Sequence, residues 1–284
     1  MVAAQAGRFV VAGAKAAWKN PLVRTAVMTG GSKVVKLASD RIPDVYRSRS
    51  PIIAVTGLAG TGKTVLIHRM CAPNSTDMPY ERGSVLVEKR STRMGTYGMR
   101  FRIIPGGDVA GRAPGLRQHF HDDPVDGVIH VVADGLASLR PDDPSGLPID
   151  ADLDTYRARQ RENEVIDFRD TAVHIASLVS ASTRPIWLLV AVTKTDLLHP
   201  DMAADIVANY YSAGGHSPFA DELRLLRRKV GEGRLTTSTM PVYAVAEDFT
   251  YRGETLPTRG TDGDRDARLE EFRTRLRHLT GQIT

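Results

Sequence analysis

One cysteine in 284 residues cannot form an internal disulfide, so the stapled secreted folds are excluded. It also leaves too few thiols for a multi-cysteine zinc site. No stretch approaches ~18 consecutive apolar residues, which excludes a membrane-spanning helix. The opening does not read as a signal peptide, because Arg8, Lys15 and Lys19 interrupt its apolar residues. The expectation is a cytoplasmic protein. Acidic side chains are nearly absent from the first fifty residues, which hold Asp40 and Asp44 against nine Lys and Arg. That segment is therefore at +7 while the whole chain is at +5, so the remainder is at −2. The basic pI of about 9.4 belongs to the arm and is a poor argument for nucleic acid, so no specific nucleic-acid partner is expected.

What is present suffices for a sizeable core: 42% hydrophobic and 25% charged residues, near the globular average. The length allows one large domain or two small ones. Residues 1–50 read as a basic helical arm. On a helix, Arg8, Lys15 and Lys19 fall on one stripe away from Ala6, Phe9, Val10 and Ala17, until Asn20-Pro21 breaks the pattern. Such a helix can lie on an anionic membrane surface, placing the protein peripherally at the membrane. The plainer reading is a helix packed on the body or an arm of solvated charges, because alanine buries little area.

From residue 51 onward, strands alternate with helices. The apolar runs Ile52–Thr56, Val125–Ala133 and Ile186–Val192 read as buried parallel strands. Ser84–Lys89 and Met99–Ile104 read as a strand pair, and Met240–Ala246 as a last strand. Thr64–Cys71, Ala151–Ser182, Met202–Tyr211, Ala220–Val230 and Asp264–Leu279 read as helices. In the long one, Val165, Phe168, Val173, Ile175 and Leu178 are the candidate core contacts. Residues 72–83, 105–124, 134–150 and 248–263 read as loops, with 134–150 a surface excursion and a short helix allowed in 105–124. Trp187 and Cys71 read as packing residues, and His68, His174 and His216 as isolated. The alternation predicts a three-layer α/β sandwich, a mainly parallel sheet with one antiparallel edge strand, in a domain over 51–284 with an insertion at about 134–182.

One motif carries chemistry. Gly57-Leu58-Ala59-Gly60-Thr61-Gly62-Lys63-Thr64 fits G-x-x-x-x-G-K-[ST], with an apolar strand before it and a helix after it. Glycines let successive backbone N–H groups turn inward on phosphate oxygens, and the helix N-terminus adds partial positive charge. Lys63 supplies a point charge to the β- and γ-phosphates, and the Thr64 hydroxyl can ligate Mg²⁺. Gly57, Ala59, Gly60, Thr61, Gly62, Lys63, Thr64 and Val65 are the expected nucleotide contacts.

Two further elements follow in order. Thr193-Lys194-Thr195-Asp196 comes directly after the strongest strand, and Pro241-Val242-Tyr243-Ala244 after that. With the P-loop they resemble the motifs of the Ras-like GTPases of the TRAFAC class. The resemblance implies that Asp196 accepts the guanine N–H donors, that Thr193 and Lys194 line and cover the base, and that the Ala244 N–H meets the guanine oxygen. It implies GTP and GDP as ligands and Mg²⁺ as cofactor, with Thr64 and Thr76 as metal ligands. It also implies Gly106 as the γ-phosphate sensor beside Lys63 and Thr76, with Thr92 and Thr96 as alternatives to Thr76. Loops 72–83 and 105–124 become the switches that meet a protein partner. Discrimination has a physical basis, since adenine lacks both donors and would leave a buried carboxylate unpaired.

The chain departs from that pattern in three places. Ile103 stands where the family's D-x-x-G carries Asp, Gly107 where a water-positioning Gln is frequent, and Tyr243 where Ser is usual. Slow or partner-assisted hydrolysis follows, with Asp108, Arg112, Arg117, His119 and His121 as nearby replacements. Two other readings stand beside the GTP/GDP switch. One is an ATP-dependent P-loop enzyme with Asp134 as its metal-side acid and Thr193–Asp196 a mere helix cap. The other is a catalytically degenerate G domain serving as an interaction module.

Overall fold

A computed structural model describes residues 50–73, 75, 87–94, 97–106, 112–138, 151–231 and 233–281. All of them belong to the unit Ser50–Thr284. The basic arm, Thr76, Thr96, Gly107 and Asp108 lie outside the described residues.

The apolar runs become the sheet. Strands β1 (Ile52–Thr56), β4 (Gly127–Val132) and β5 (Ile186–Val192) are buried along their whole lengths. They can be apolar on both faces because helices cover both faces. With β2 (Glu88–Met94), β3 (Tyr97–Ile103) and β6 (Leu235–Pro241) they form one six-stranded sheet of order β2-β3-β1-β4-β5-β6. Every neighbouring pair is parallel except the hairpin β2–β3, so the antiparallel strand lies at the edge.

Alternation along each strand then sorts the helices. Ile53 and Val55 of β1 and Ile129 and Val131 of β4 pack with α1 (Lys63–Cys71) and the C-terminal helix α6 (Asp262–Gly281). Ala54, Val128, Val132 and Val190 point the other way. They meet α3 (Leu153–Ala181), α5 (Pro218–Val230) and α2 (Arg112–Arg117) with its π-helical continuation Gln118–Asp122. A short helix α4 (Pro200–Asp205) runs into a second π-helical turn, Ile206–Tyr210. Three layers result. β3 lies on one side of β1 and β4 on the other, so chain crossovers diverge at the C-terminal end of β1, where open α/β sheets place ligand crevices.

Several boundaries differ from the sequence expectation. The expected strand at Ser84–Lys89 starts at Glu88, because pairing with β3 and not apolar content sets this polar edge strand. The last sheet strand begins at Leu235 and closes at Pro241. Its run of Thr and Ser is carried into the sheet by the register with β5. The polar stretch from 248 contains a hairpin, β7 (Phe249–Tyr251) and β8 (Glu254–Leu256). Its two turn residues, Arg252 and Gly253, both have positive φ, the conformation tight hairpins favour. Val173 is 57% exposed and is no core contact. His174 is not isolated, since its Nδ1 lies 3.1 Å from Nε2 of His121.

The expected surface excursion also begins differently: Asp134, Leu136 and Ala137 are buried. Helix α3 holds them. Asp134 accepts from Arg161 Nε at 2.8 Å and from Arg157. Glu164 accepts from the Ala133 and Gly135 N–H groups at 2.8 and 3.3 Å, and from the Tyr211 hydroxyl at 2.5 Å. Tyr156 donates to the Ala137 carbonyl. Burial raises the Glu164 carboxyl to about 7, against the opposing pull of these donors. A group raised in the folded state stabilises below its unfolded value and loses that contribution as pH rises through the folded one. The stability of wild type relative to Glu164→Gln should therefore fall between pH 4.5 and about 7, by on the order of 3 kcal/mol. Urea denaturation across that range checks it, and a pH-independent difference would refute it.

Candidate functional site

The Gly-rich loop leaves β1 and enters α1 at the divergence point of the sheet. Gly60 and Gly62 take positive φ, and Gly62 is the residue before the first helical turn. The loop is enclosed on several sides. A β-carbon on Gly57 would stand 2.1 Å from the Val131 carbonyl oxygen, and one on Gly60 2.4 Å from that of Ser138. On Gly106 it would stand 2.3 Å from the Ala59 amide nitrogen. The segment after β3 and the segment after β4 both press on the loop backbone. Lys63 curls back over it, donating from Nζ to the carbonyls of Gly57 at 2.8 Å and Leu58 at 2.6 Å. Thr61 closes the turn with a hydroxyl bond to the Leu58 carbonyl. Thr64 and Val65 follow in the first helical turn, half-buried.

The Thr193–Asp196 element is brought to the same edge. The Thr193 hydroxyl lies 2.7 Å from the Thr61 carbonyl and 3.0 Å from that of Val132, sharing its proton between the P-loop and β4. Lys194 adopts a left-handed backbone conformation and turns the chain into the 3₁₀ turn Thr195–Leu197. Its ammonium donates to the Leu136 carbonyl at 2.6 Å and to Ser138 Oγ at 2.8 Å, and stands 4.8 Å from the centre of the Phe249 ring. Burial lowers its pKa to about 8. Asp196 is 6% exposed. Burial raises its carboxyl above the ordinary value, while the Thr258 hydroxyl, 2.8 Å from Oδ2, works in the opposite sense. The loop after β6 closes over it, with Val242, Tyr243 and Ala244 all buried. Arg69, from the last turn of α1, donates Nε to the Ala244 carbonyl at 3.3 Å and fixes that loop against the helix.

Other expected participants are placed elsewhere. Ile103 is wholly buried in the core facing α1 and α6. Thr92 lies within β2. Asp134 is spent on Arg157 and Arg161. His119 is buried with Nδ1 2.8 Å from Arg102 Nη1. Burial, then Arg102, lowers its pKa to about 4, so it serves β3 and not the loop. Arg117 is exposed, and His121 pairs with His174. Among the described residues, no group of three or more His, Cys, Asp and Glu is placed to hold a metal, and no helix is long and apolar enough to cross a membrane.

Arg112 is different. From the first turn of α2 it forms a 2.6 Å ion pair with Asp167 of α3, which is buried. Beyond it His130 Nε2 lies 3.8 Å from Asp167 Oδ2, and His130 Nδ1 lies 3.0 Å from the Thr56 hydroxyl, immediately before Gly57. Burial, with Arg112 and Lys63 adding to it, lowers the His130 pKa to about 3, so this histidine is neutral. Apart from Arg112 as a candidate in the loop after Gly106, nothing in the sequence pattern marks this chain of contacts, since Asp167 and His130 are separated by 37 positions and by the loop between them.

No family model matches the chain, and no curated protein matches it. Among solved structures it is similar to the Arl6 BBS3 small GTPase from Trypanosoma brucei, solved with the bound nucleotide analogue GppNp. The identity is 11% over 83% of this chain and 99% of that one, with a TM-score of 0.46. At that likeness, the chemistry of the site rests on its own geometry.

Removing one member of a buried ion pair strands the other charge. Arg112→Leu should therefore destabilise by about 3–5 kcal/mol, and Arg112→Leu/Asp167→Leu should recover most of the loss. Equilibrium unfolding of the two variants checks this, and a double variant no better than the single would rule out the pair as the cause.

Proposed function

We propose that this chain is a guanine-nucleotide-binding protein acting as a GTP/GDP switch. The observation that carries the reading is the Thr193 bridge, which seats the Asp196 element beside the phosphate-binding loop on one edge of the sheet. In this reading the backbone of Gly57–Thr64 and the Lys63 ammonium take the phosphates. Asp196 takes the two guanine N–H donors, Lys194 flanks the base, and the Ala244 N–H meets the guanine oxygen. Burial of Asp196 sharpens the choice of base, because adenine would bring no donors to the carboxylate's remaining acceptor sites. The adenine reading loses its metal-side acid, since Asp134 is held by two arginines.

In this reading Thr64, half-buried at the start of α1, gives Mg²⁺ one hydroxyl and Thr76 is its second ligand. Mg²⁺ keeps its other ligands as water and phosphate oxygens, which suits a site with few protein donors. When bound, the ion neutralises charge on the phosphates. This chain contributes the Lys63 charge and the inward-facing amides. With Ile103 in the core and Gly107 in place of a polar side chain, it has little to position a water, so hydrolysis is slow or partner-assisted. Gly106, in contact with the loop backbone, is the point at which a γ-phosphate would be sensed. Loops 72–83 and 105–124 then present the nucleotide state to a protein partner. The +7 arm of residues 1–50 supplies attraction to an anionic membrane.

Fluorescent GTP binding in Mg²⁺, competed by GDP and by ATP, tests the assignment. GDP should compete and ATP should not, and Asp196→Ala should cost about 2–3 kcal/mol of guanine preference. Lys63→Ala should weaken GTP and GDP alike by at least about tenfold. Equal competition by ATP, unchanged in Asp196→Ala, would sink the guanine reading.

A further inference from the structure

The hairpin β7–β8 and the strap that follows it, residues 257–261, belong to no part of the motif set, yet they end on Asp196. The hairpin is anchored on three points. Phe249 lies under the Lys194 ammonium. Tyr251 stacks on Tyr156 of α3 with ring centres 4.4 Å apart. Phe249 and Tyr251 join Leu136 and Leu197 in a small buried cluster of their own. From this anchor the strap crosses the Asp196 element. Arg259 donates its N–H to the Asp196 carbonyl at 2.7 Å, and the Thr258 hydroxyl reaches Oδ2 at 2.8 Å. Thr258 is itself held by its N–H on Asp248 Oδ1 at 2.9 Å. Gly260 lets the strap come this close, since a β-carbon there would stand 2.7 Å from Tyr243 Oη and 3.0 Å from Asp196 Cβ.

We infer that Thr258 is a specificity-determining positioning residue, whose hydroxyl fixes the Asp196 carboxylate so that its remaining acceptor sites face the base. Three donors of the protein reach the carboxylate: the Thr258 hydroxyl, its own backbone N–H and the Glu247 backbone N–H. Of these the Thr258 hydroxyl is the one from a side chain, and it sets the torsion at which the carboxylate meets the two N–H donors on the edge of guanine. A carboxylate whose torsion is free can make one of those bonds well but not both, so the second bond is the one the strap secures. The inference rests on the guanine reading above and deepens it. Tyr243, which stands where a small hydroxyl would come from the loop after β6, does not reach the carboxylate with a hydrogen bond, and the strap supplies that hydroxyl from another direction.

The test separates this inference from the reading beneath it. Affinities for GDP, inosine diphosphate (which lacks the second donor), xanthosine diphosphate and ADP are measured by competition in the full chain. The variants are Thr258→Val, Thr258→Ser, Gly260→Ala and Asp196→Asn, with melting temperature as the control for folding. Asp196→Asn should shift preference from GDP to xanthosine diphosphate, whose oxygen meets the new amide. Thr258→Val should lower the GDP-over-inosine ratio about fivefold with ADP unmoved, Thr258→Ser should restore it, and Gly260→Ala should lower it by displacing the strap. A general loss of fold would weaken all four ligands and leave that ratio alone. If Asp196→Asn shifts the base preference while Thr258→Val and Gly260→Ala keep the wild-type ratio, the guanine reading stands and the role of Thr258 is overturned. If Asp196→Asn shifts nothing, the guanine reading fails and this inference falls with it.

Discussion

The Thr193 hydroxyl joins three pieces of backbone. It is directed at the Thr61 carbonyl in the P-loop and the Val132 carbonyl at the end of β4, from the first residue past β5. A buried hydroxyl between two carbonyls has no solvent to fall back on, so its geometry is enforced by the cost of leaving it unmade. The consequence is that the Gly-rich loop and the Thr193–Asp196 turn, 132 positions apart in sequence, share one frame. The positions of Asp196 and Lys194 relative to the loop depend on that frame staying rigid.

Around this edge the protein uses buried charge as a structural fastener. Asp134 with Arg157 and Arg161, Glu164 with the Ala133 and Gly135 amides, and Asp167 with Arg112 attach α3 to the segments after β4 and β3. Each carboxylate is costly to bury and is retained only because it is partnered. Such pairs are weak devices for stability but strong ones for register, since a slip of one residue leaves a charge unpaired. The switch proposed above would use that property, since segments that move must have definite positions to move between. Arg112, beginning the helix after Gly106, pairs with Asp167, and 3.8 Å beyond it His130 meets the Thr56 hydroxyl at the end of β1.

Of the three departures from the pattern that the sequence resembles, two, Ile103 and Gly107, stand where the resemblance has the parts that activate water, and the third, Tyr243, lies in the loop after β6. In the proposed reading the residues that would hold a nucleotide are retained. Binding and hydrolysis have different demands. Binding needs inward amides and a cation, which the loop supplies through its backbone, while hydrolysis needs a side chain placed to orient a water. A chain can relinquish the second and keep the first.

The sheet was legible in the sequence where apolar runs are continuous, because a strand covered on both faces must be apolar throughout. Ile52–Thr56 and Ile186–Val192 are of this kind. The loop was legible because Gly-Lys-Thr at the start of a helix has few other physical explanations. Illegible were elements whose stability comes from partners distant in sequence. β6, a run of Thr and Ser, exists through its register with β5. Residues 134–137 are buried because Glu164 and Arg161 reach them, not because they are apolar. The hairpin at 249–256 shows only a short alternation around Arg252-Gly253. The sequence by itself determined a Gly-rich loop ending in Lys-Thr at a helix start and an aspartate turn after the strongest strand. Only the tertiary structure decided that Thr193 joins the two and that Thr258 reaches Asp196, because hydrogen bonds between positions far apart in the chain form only where the folded backbone brings donor and acceptor within about 3 Å.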